Sequence, residues 1–478
     1  MRRSDETNLS EAAAPEVHAA DWSALIPVLP KAGPRPVALY AELRRLIEGG
    51  VLRPGTKLPP TRELAARLGL SRGAAVAAFE LLLAEGFAEA RVGAGTFVAA
   101  AVPQIAPAAP PPDPRPAVAP PLPGALGRAA PDARTFQILR GLITRHLAVP
   151  ARHHFGYGDP RGSRALREEV AAYLRTARGV RCHGDQVVLT SGSQQALDLI
   201  IRAALKPGDP VWIEDPCYPM ARAAFEGAGM RLIGVPVDGE GLDPAAGEAR
   251  APHARAVYVT PSHQFPLGVT LTMARRLALI DWARRAGGWI IEDDYDSEYR
   301  YAGPPLTALQ GIDGAGRVIY VGTFSKALFP GLRVGYAVVP EALLDAMIAV
   351  RNRSDRFPPS LLEDALADFL REGHFSAHLR RARRRARDAR DALVDVLNEG
   401  GLSVAAPDQG LHLVARRPDW TQDAPLLAAA RAEGFGPRAL SPLHVDRPPE
   451  AGLVIGFSGF PPEELASAAR RWLARIGG

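Results

Sequence analysis

The chain has 478 residues, 47% of them apolar and 23% charged, and its net charge is +5. This composition is typical of a soluble globular protein with two or three domains and an ample core. No run of about eighteen apolar residues occurs, and residues 1–30 read as a polar tail that becomes ordered around 22–29, so we expect neither a membrane span nor export but a cytoplasmic protein. The two cysteines, Cys182 and Cys217, lie too far apart in the sequence for a disulfide framework or a four-cysteine metal site, and no metal is expected.

Residues 31–100 carry the pattern of a small, separate domain. Helical spacing and turn residues predict helices over 39–47, 62–68 and 72–85, followed by strands over 87–92 and 95–99. Thr61 and Ser71 are candidate caps of the second and third helices, which a tight turn at Gly69 separates. Two short helices joined in this way are typical of a helix-turn-helix, and the two strands hinged at Gly93 would form its wing.

The charge of this domain predicts double-stranded DNA as its partner. Residues 31–100 contain ten Lys and Arg against six Asp and Glu, a balance of +4, so most of the net positive charge of the chain lies here. The alternative is that these are ordinary solvated surface charges. The candidate DNA contacts lie near helix starts or the wing: Lys57, Thr61, Arg62, Ser71, Arg72 and Arg91.

Residues 101–134 are interpreted as a linker. Ten prolines lie between Pro103 and Pro123, mixed with alanine and few large apolar residues, so this stretch cannot bury a core. Polyproline character would make it semi-extended, at about 3 Å per residue. Such reach would suit a protein with swapped domains, although an inert spacer explains the composition equally well.

Residues 135–478 are predicted to form a large α/β domain that ends in a small C-terminal subdomain. Strand patterns alternate with helix patterns, which favours a mostly parallel sheet with helices on both faces. Chemically interesting residues follow several of these strands, at the edge where open α/β sheets bind ligands. The predicted strands are 186–190, 211–214, 232–237, 256–260, 289–293, 318–322 and 334–339.

Lys326 follows the buried strand 318–322 and has neighbours that suit a phosphate-bearing aldehyde cofactor. The amine of Lys326 can form an aldimine, while Thr323, Ser325 and Arg333 can hold a phosphate dianion. Considered alone, a lysine at a strand end is far more often a solvated residue, but these neighbours reverse that expectation.

Upstream segments could complete such a site. The start of a helix near residue 191 offers donors for a phosphate, Asp293 can keep a pyridine nitrogen protonated, Tyr295 can bond a ring hydroxyl, and Tyr218 can stack on the ring. The candidate cofactor residues in addition to Lys326 and its neighbours are Ser191, Gly192, Ser193, Gln194, Tyr218, Gln264, Asp293 and Tyr295.

Three stretches carry a family resemblance. Residues 323–333 (TFSKALFPGLR) resemble the Schiff-base segment of fold-type-I aminotransferases, and residues 155–162 (FGYGDPRG) resemble their glycine-bearing segment before the first large-domain strand. Residues 58–72, closing with 93–98, are similar to the winged helix-turn-helix of the GntR regulators. Together they resemble the MocR/GabR family of bacterial transcription regulators over nearly the whole chain beyond residue 30.

The resemblance implies a transcription regulator and not an enzyme. In such a protein pyridoxal 5′-phosphate would bind Lys326, residues 37–100 would bind DNA, and a small amine, an amino acid or the cofactor itself would be the effector. It further implies a domain-swapped homodimer in which Tyr157 reaches the phosphate of the neighbouring subunit.

The chain also departs from the family pattern. At Val454 aminotransferases have the arginine that clamps the substrate carboxylate, so either Arg438 or Arg447 substitutes, or the ligand is not a plain α-amino acid, or cofactor occupancy is itself the signal. Small residues at 73–75 stand where the DNA-reading face usually carries larger ones. The seven arginines between Arg380 and Arg390 fit a solvated helix better than a nucleic-acid site.

Three functions therefore stay open. The first is a cofactor-dependent regulator, the second is a working aminotransferase with a DNA-binding module, and the third is a DNA-binding protein whose large domain only dimerises and binds no cofactor. Val454 and the complete helix-turn-helix argue against the second, and the matching cofactor positions argue against the third.

Overall fold

The computed structural model describes Leu29 and residues 34–101, 120–149 and 151–477. The predicted N-terminal tail up to residue 28, and residues 102–119 of the predicted linker, lie outside the described residues. The chain divides into two compact units whose boundary lies between Val118 and Ala119.

The small unit is a winged helix-turn-helix, as predicted. Its elements are α1 Arg35–Glu48, α2 Thr61–Leu68, α3 Arg72–Ala84, β1 Ala88–Arg91 and β2 Gly95–Val98. Gly69 ends α2 with a φ of +63°, a conformation that glycine adopts without strain. Ser71 caps α3, since its side chain accepts a hydrogen bond from the Ala74 amide at 3.2 Å. The predicted cap at Thr61 is wrong, because α2 already begins at Thr61 after Pro60, and no side chain caps it.

The core of the small unit lies between the three helices and the wing. Leu43 of α1, Leu64 of α2 and Leu82 of α3 pack together, each at most 2% exposed. Ala74 and Ala75 belong to this buried side of α3 and not to its outer face, which corrects the expectation that residues 73–75 all lie on the reading face. They face inward because they lie one helical turn before Ala78, which is itself buried.

The large unit alternates strands and helices through most of its length. Its described helices are α4 Ala133–Ala148, α5 Arg164–Arg178, α6 Ser193–Ala204, α7 Pro219–Gly227, α8 Pro244–Arg250, α9 Met273–Ala286, α10 Leu309–Ile312, α11 Phe324–Ala327, α12 Glu341–Ser354, α13 Ser360–Arg371, α14 His374–Glu399, α15 Asp423–Ala432 and α16 Pro462–Ile476. Its strands are β3 Val187–Thr190, β4 Pro210–Asp215, β5 Arg231–Asp238, β6 Gly241–Leu242, β7 Ala256–Val259, β8 Trp289–Asp294, β9 Val318–Thr323, β10 Gly335–Val338, β11 His412–Ala415, β12 Arg438–Ala439 and β13 Leu453–Gly456. None of the helices in the described residues is long and apolar enough to cross a membrane.

Eight strands form the central sheet in the order β3-β10-β9-β8-β7-β4-β5-β6. The five strands from β9 to β5 are parallel, whereas β10 runs antiparallel to both of its neighbours and β6 is an antiparallel edge that the sequence did not predict. Every residue of β9 is buried, which explains why it reads as a nearly continuous apolar run. The prediction of a mostly parallel sheet is confirmed.

The C-terminal subdomain is built on a three-stranded antiparallel sheet, β11-β13-β12. Its core includes Leu393 and Leu397 of α14, Ile455 of β13 and Trp472 of α16, all fully buried. This agrees with the predicted mixture of strands and helices after residue 402.

Residues 120–132 belong to the large unit, although the sequence placed them in the linker. The Pro123 carbonyl accepts a hydrogen bond from the Gly436 amide at 2.7 Å, and the Gly124 carbonyl accepts one from the Gly456 amide at 2.9 Å. Asp132 caps α4 through the Thr135 amide at 2.7 Å. Proline removes a donor but keeps its carbonyl, so a proline-rich stretch can still be fixed through its acceptors.

Candidate functional site

A cavity of about 320 Å³ opens where several strands of the central sheet end. Asp293 near the end of β8, Thr323 at the end of β9 and Thr260 just after β7 all border it. This is the edge at which open α/β sheets bind ligands. Ten of the predicted cofactor residues line it: Gly192, Ser193, Gln194, Tyr218, Asp293, Tyr295, Thr323, Ser325, Lys326 and Arg333.

Lys326 lies in the one-turn helix α11, directly after β9. Its Nζ donates a hydrogen bond to the Gly127 carbonyl at 3.2 Å. Burial lowers the pKa of Lys326, while the charges of Asp296 and Asp293 oppose that effect. A lowered pKa increases the fraction of neutral amine, which is the nucleophilic form.

Asp293 has one satisfied oxygen and one unsatisfied oxygen. Its Oδ2 accepts a hydrogen bond from the Tyr258 hydroxyl at 2.6 Å, whereas its Oδ1 is buried and has no partner among the described residues. Burial raises the pKa of Asp293 to about 6, and the Tyr258 hydroxyl partly opposes this. A buried carboxylate oxygen without a donor fits a cationic ring N–H, which is the group that a pyridine cofactor would present.

Donors for an anion meet at Gly192 and Arg333, which also line the cavity. Gly192 precedes the twelve-residue helix α6, which begins at Ser193. The Arg333 guanidinium lies over Gly192, where a Cβ would come within 3.4 Å of it, and this side chain has no hydrogen bond or ion pair with any described residue. Arg333 has a φ of +53°, which is unusual for a residue other than glycine and marks a position fixed by its surroundings. The helix start and the guanidinium together fit a phosphate.

Aromatic side chains form a further part of the cavity lining. Tyr218 packs edge-on against Phe265, with ring centroids 5.4 Å apart. The Tyr295 hydroxyl donates to the His263 carbonyl at 3.0 Å and lies 3.2 Å from the His263 Nδ1 atom. Burial raises the pKa of both tyrosines, so their hydroxyls stay protonated and can donate.

Two predicted cofactor residues do not reach the cavity. The Ser191 amide donates to the Gln195 side chain at 2.7 Å, which fixes the start of α6. Gln264 is buried, with its Nε2 donating to the Pro216 carbonyl at 2.9 Å and its Oε1 accepting from the Leu267 amide at 2.9 Å. Its amide closes the turn, and the neighbouring Phe265 lines the cavity instead.

Tyr157 lies on the surface and away from this cavity. It is 79% exposed, with the Arg356 guanidinium 4.2 Å from its ring centroid. Its predicted role requires the cavity of a second subunit and stays a prediction.

The sequence did not identify several residues that border the cavity. Leu126 and Gly127 come from the stretch assigned to the linker, where the proline content concealed them. The remaining ones are Met220, Tyr258, Thr260, Phe265, Pro330, Leu411, His412 and Arg438, of which Arg438 was considered only as a substitute clamp.

Two groups of histidine and aspartate have the spacing of metal ligands, although no metal was predicted. They are His153, His154 and Asp364 on one side of the unit, and His263, Asp296 and His412 beside the cavity. Hydrogen bonds tie each group together: both histidines of the first reach the Asp364 Oδ2 atom at 2.8 and 2.9 Å, and the His263 Nδ1 lies 3.0 Å from the Asp296 Oδ2.

The predicted DNA contacts fall into two sets. Arg62 and Arg72 are exposed at the starts of α2 and α3, and neither has a hydrogen bond or ion pair with a described residue. Ser71 is exposed beside them, while Thr61 is half-buried. Arg91 is paired with Glu89 at 2.6 Å and lies 4.5 Å from the Phe97 ring centroid. Lys57 is exposed, with its Nζ 5.8 Å from the same ring centroid.

The arginine-rich helix α14 contacts the rest of the large unit. Arg381 pairs with Asp132 at 2.6 Å, Arg387 donates to the Tyr301 carbonyl at 2.9 Å, and Arg390 donates to the Pro407 carbonyl at 2.7 Å. These contacts give the three arginines a structural role, so the helix is less solvated than predicted, although the expected local pair of Arg390 with Asp391 is present at 2.6 Å. That the helix is not a nucleic-acid site stays a prediction.

The position of the missing carboxylate clamp is apolar. Val454 on β13 is fully buried and packs in one cluster with Phe265 and Leu440. Arg438 on β12 is paired directly opposite Val454 and lines the cavity. Arg447 does not line it and has its Nη2 atom 4.0 Å from Glu450.

A winged helix-turn-helix joined to a large α/β unit with a lysine-centred cavity defines a class of protein, the helix-turn-helix regulators that carry an aminotransferase-like domain. Comparisons support this class at both ends of the chain. Residues 140–429 match the family described as aminotransferase class I and II, and residues 37–98 match the bacterial regulatory proteins of the gntR family.

Two curated relatives match this chain over most of its length and of their own. The chain is 37% identical to the probable rhizopine catabolism regulatory protein MocR of Rhizobium meliloti, over 89% of this chain and 90% of that one. It is 32% identical to the HTH-type pyridoxine biosynthesis transcriptional regulator PdxR of Corynebacterium glutamicum, over 92% of this chain and 94% of that one. A crystal structure of Pyrococcus horikoshii kynurenine aminotransferase covers 74% of this chain, and 90% of its own, at a TM-score of 0.68 and 28% identity. The chain belongs to the MocR-type family of GntR transcriptional regulators.

Proposed function

We propose that this chain is a transcription regulator that carries pyridoxal 5′-phosphate on Lys326 and responds to this cofactor or to a small amine or amino acid. The observation that carries the proposal is the buried Oδ1 of Asp293, which has no partner among the described residues, in the cavity that also holds the half-buried amine of Lys326. An acceptor that fits a ring N–H and an amine with a lowered pKa are the two protein groups that this cofactor needs most.

The residues of the cavity would divide the work as follows. When bound, the cofactor supplies an electrophilic aldehyde carbon and an electron-accepting ring. Lys326 would offer its amine, Asp293 would hold a proton at the ring nitrogen, and Arg333 with the start of α6 would bind the phosphate. Tyr218 would pack on the ring, and the Tyr295 hydroxyl would be available to a ring oxygen.

We infer that the large unit acts as a sensor and not as a turnover enzyme. Val454 cannot bind a carboxylate, so the arginine with which aminotransferases bind the substrate carboxylate at this position is missing. The relatives named as regulators support this reading, since they match nearly the full length of the chain.

The small unit would bind a double-stranded DNA operator. The unpaired Arg62 and Arg72 support this role, because exposed guanidinium groups at two helix starts can reach phosphates and base edges. In a domain-swapped homodimer the exposed Tyr157 would reach the phosphate of the neighbouring subunit, and two small units would bind two half-sites.

An absorbance spectrum tests the cofactor half of this proposal. The full chain mixed with pyridoxal 5′-phosphate should show a visible band that Lys326→Ala abolishes. The chain has four lysines, so Lys206→Ala, which removes an exposed lysine of the same unit, is a matched control and should keep the band. A band that survives Lys326→Ala and disappears with Lys206→Ala would refute the assignment.

A turnover assay separates the regulator from the enzyme. With an amino acid and an oxo acid in excess, the regulator should form at most about one equivalent of product per chain. Many equivalents would instead favour a working aminotransferase. The absence of any band would favour the third reading, in which the large unit binds no cofactor.

A further inference from the structure

The cavity contains a second guanidinium group besides Arg333, and we propose that this group, from Arg438, binds the carboxylate of the effector. The inference rests on the proposed function and names the class of effector: a small primary amine that also carries a carboxylate. Cofactor binding would not depend on Arg438, so the two ideas can fail separately.

The pairing of two short strands places Arg438 in the cavity. β12 runs antiparallel to β13, and Arg438 lies directly opposite Val454. Side chains directly opposite each other on neighbouring strands point to the same face of a sheet. Val454 packs on this face in the cluster that contains Phe265, and Phe265 and Arg438 both line the cavity. A guanidinium on β12 can therefore reach the space that an arginine at position 454 would reach from β13.

Arg438 carries a charge that the described part of the protein does not neutralise. It makes no hydrogen bond or ion pair with a described residue, whereas Arg447 lies 4.0 Å from the Glu450 carboxylate. The positive charge of Arg438 opposes the burial that raises the pKa of Tyr218, so the guanidinium lies within electrostatic reach of that hydroxyl. An anionic group on a ligand would balance this charge.

The shape and the surroundings of Arg438 favour a carboxylate. A guanidinium presents parallel N–H donors that match the two oxygens of a carboxylate. Arg438 is exposed, so its donors are accessible to an incoming ligand, and the cavity that it lines also has apolar walls at Leu126, Phe265 and Leu411. The cavity volume of about 320 Å³ is at the small end for ligand sites and must hold the cofactor as well, so the effector has few atoms.

Calorimetric titration of the cofactor-loaded full chain tests this inference. The probes are amino acids paired with the amine that lacks the carboxylate: glycine with methylamine, β-alanine with ethylamine, and 5-aminopentanoate with butylamine. In the parent at least one amino acid should bind about tenfold or more tightly than its amine. Arg438→Gln should weaken that amino acid about tenfold to a hundredfold and change the amine by less than about twofold.

Two variants make the result specific. Arg447→Gln removes an arginine outside the cavity and should bind every probe as the parent does. Arg438→Lys keeps the positive charge but lacks the parallel N–H donors of a guanidinium. Its affinity for the amino acid should therefore lie between those of the parent and Arg438→Gln.

Other results would overturn the inference. If no amino acid is preferred over its amine in the parent, or if Arg438→Gln and Arg447→Gln weaken binding equally, Arg438 does not bind the carboxylate. The proposed function would survive both results, provided that the visible band still requires Lys326. If the parent shows no visible band with pyridoxal 5′-phosphate, the proposed function and this inference are both overturned.

Discussion

The substitution Asp293→Asn should make the cofactor-free protein more stable at neutral pH. Burial raises the pKa of Asp293 from 3.8 to about 6, and one pKa unit corresponds to about 1.4 kcal/mol. The ionised carboxylate therefore costs about 3 kcal/mol of folding free energy. The pKa of Asp293 is higher in the folded protein than in the unfolded one. The cost is therefore absent below about pH 4, and stability is lost as the pH rises through about 6. An asparagine carries no charge, so it avoids this loss.

The same substitution should have the opposite effect once the cofactor is bound. A protonated ring nitrogen would pair with the Oδ1 of Asp293, and a hydrogen bond between charged groups contributes about 1.5–3 kcal/mol. Asparagine cannot supply that charge. We therefore expect Asp293→Asn to weaken cofactor binding about tenfold to a hundredfold while it stabilises the empty protein.

Denaturant unfolding of the cofactor-free chain at several pH values measures the first effect. The free energy of unfolding of Asp293→Asn should exceed that of the parent by an amount that depends on pH. This difference should rise from near zero at about pH 4 to about 3 kcal/mol above about pH 7. Other buried carboxyls, such as Glu214 and Glu292, titrate in both proteins, and the charge of Asp293 contributes to the raised pKa of Glu214. The difference therefore reports Asp293 together with its coupling to Glu214. Asp408→Asn, at an exposed aspartate, is the matched control for the loss of a carboxylate. A pH-independent difference would refute the reasoning, because it would mean that Asp293 is already paired in the empty cavity.

Two further changes test other parts of the molecule. Gly127→Ala forces alanine into a φ of +68° and places its Cβ 2.6 Å from the flexible Lys326 amine, which must shift. The strained backbone and the displaced amine should weaken cofactor binding about tenfold or more in a titration followed by absorbance. Affinity equal to the parent would show that the amine moves without cost to cofactor binding. Arg72→Gln should weaken binding to a generic DNA duplex and reduce the slope of log affinity against log salt by about 1. Arg431→Gln, in the large unit, is the control for overall charge, and an equal change in both variants would exclude a phosphate contact by Arg72.

Strand ends explain why ten residues that line the cavity could be predicted from the sequence. A buried apolar run ends at a defined residue, so Asp293 and Thr323 had to emerge at the same edge of a parallel sheet. The sequence does not predict which side chains in the turns after these strands point into the cavity. Gln264 and Phe265 are neighbours, and the choice of which one faces the cavity depends on the Pro216 carbonyl, which is far away in the sequence and needs a donor.

Other differences came from composition and from periodicity. The proline-rich stretch concealed Leu126 and Gly127, because composition reports the lack of a core and not the carbonyl contacts that fix the chain. Ala74 and Ala75 could have been assigned correctly, since Ala75, Ala78 and Leu82 follow helical spacing and Ser71 was already the predicted cap. Small residues conceal such a pattern, because alanine fits either face of a helix.

Gly127 connects the Lys326 amine to the segment that leads into the large unit. Its carbonyl accepts the hydrogen bond of the Lys326 amine, and it leaves no room for a Cβ beside that nitrogen. The flanking carbonyls of Gly124 and Arg128 are bonded to Gly456 and to the Ser458 hydroxyl in the C-terminal subdomain. A reaction at the Lys326 nitrogen would therefore remove a hydrogen bond from a segment whose flanking residues are held by the C-terminal subdomain. The same segment continues along the chain, through residues 102–119, to the small unit. The covalent connection between the two units therefore begins at the wall of the cavity that contains Lys326.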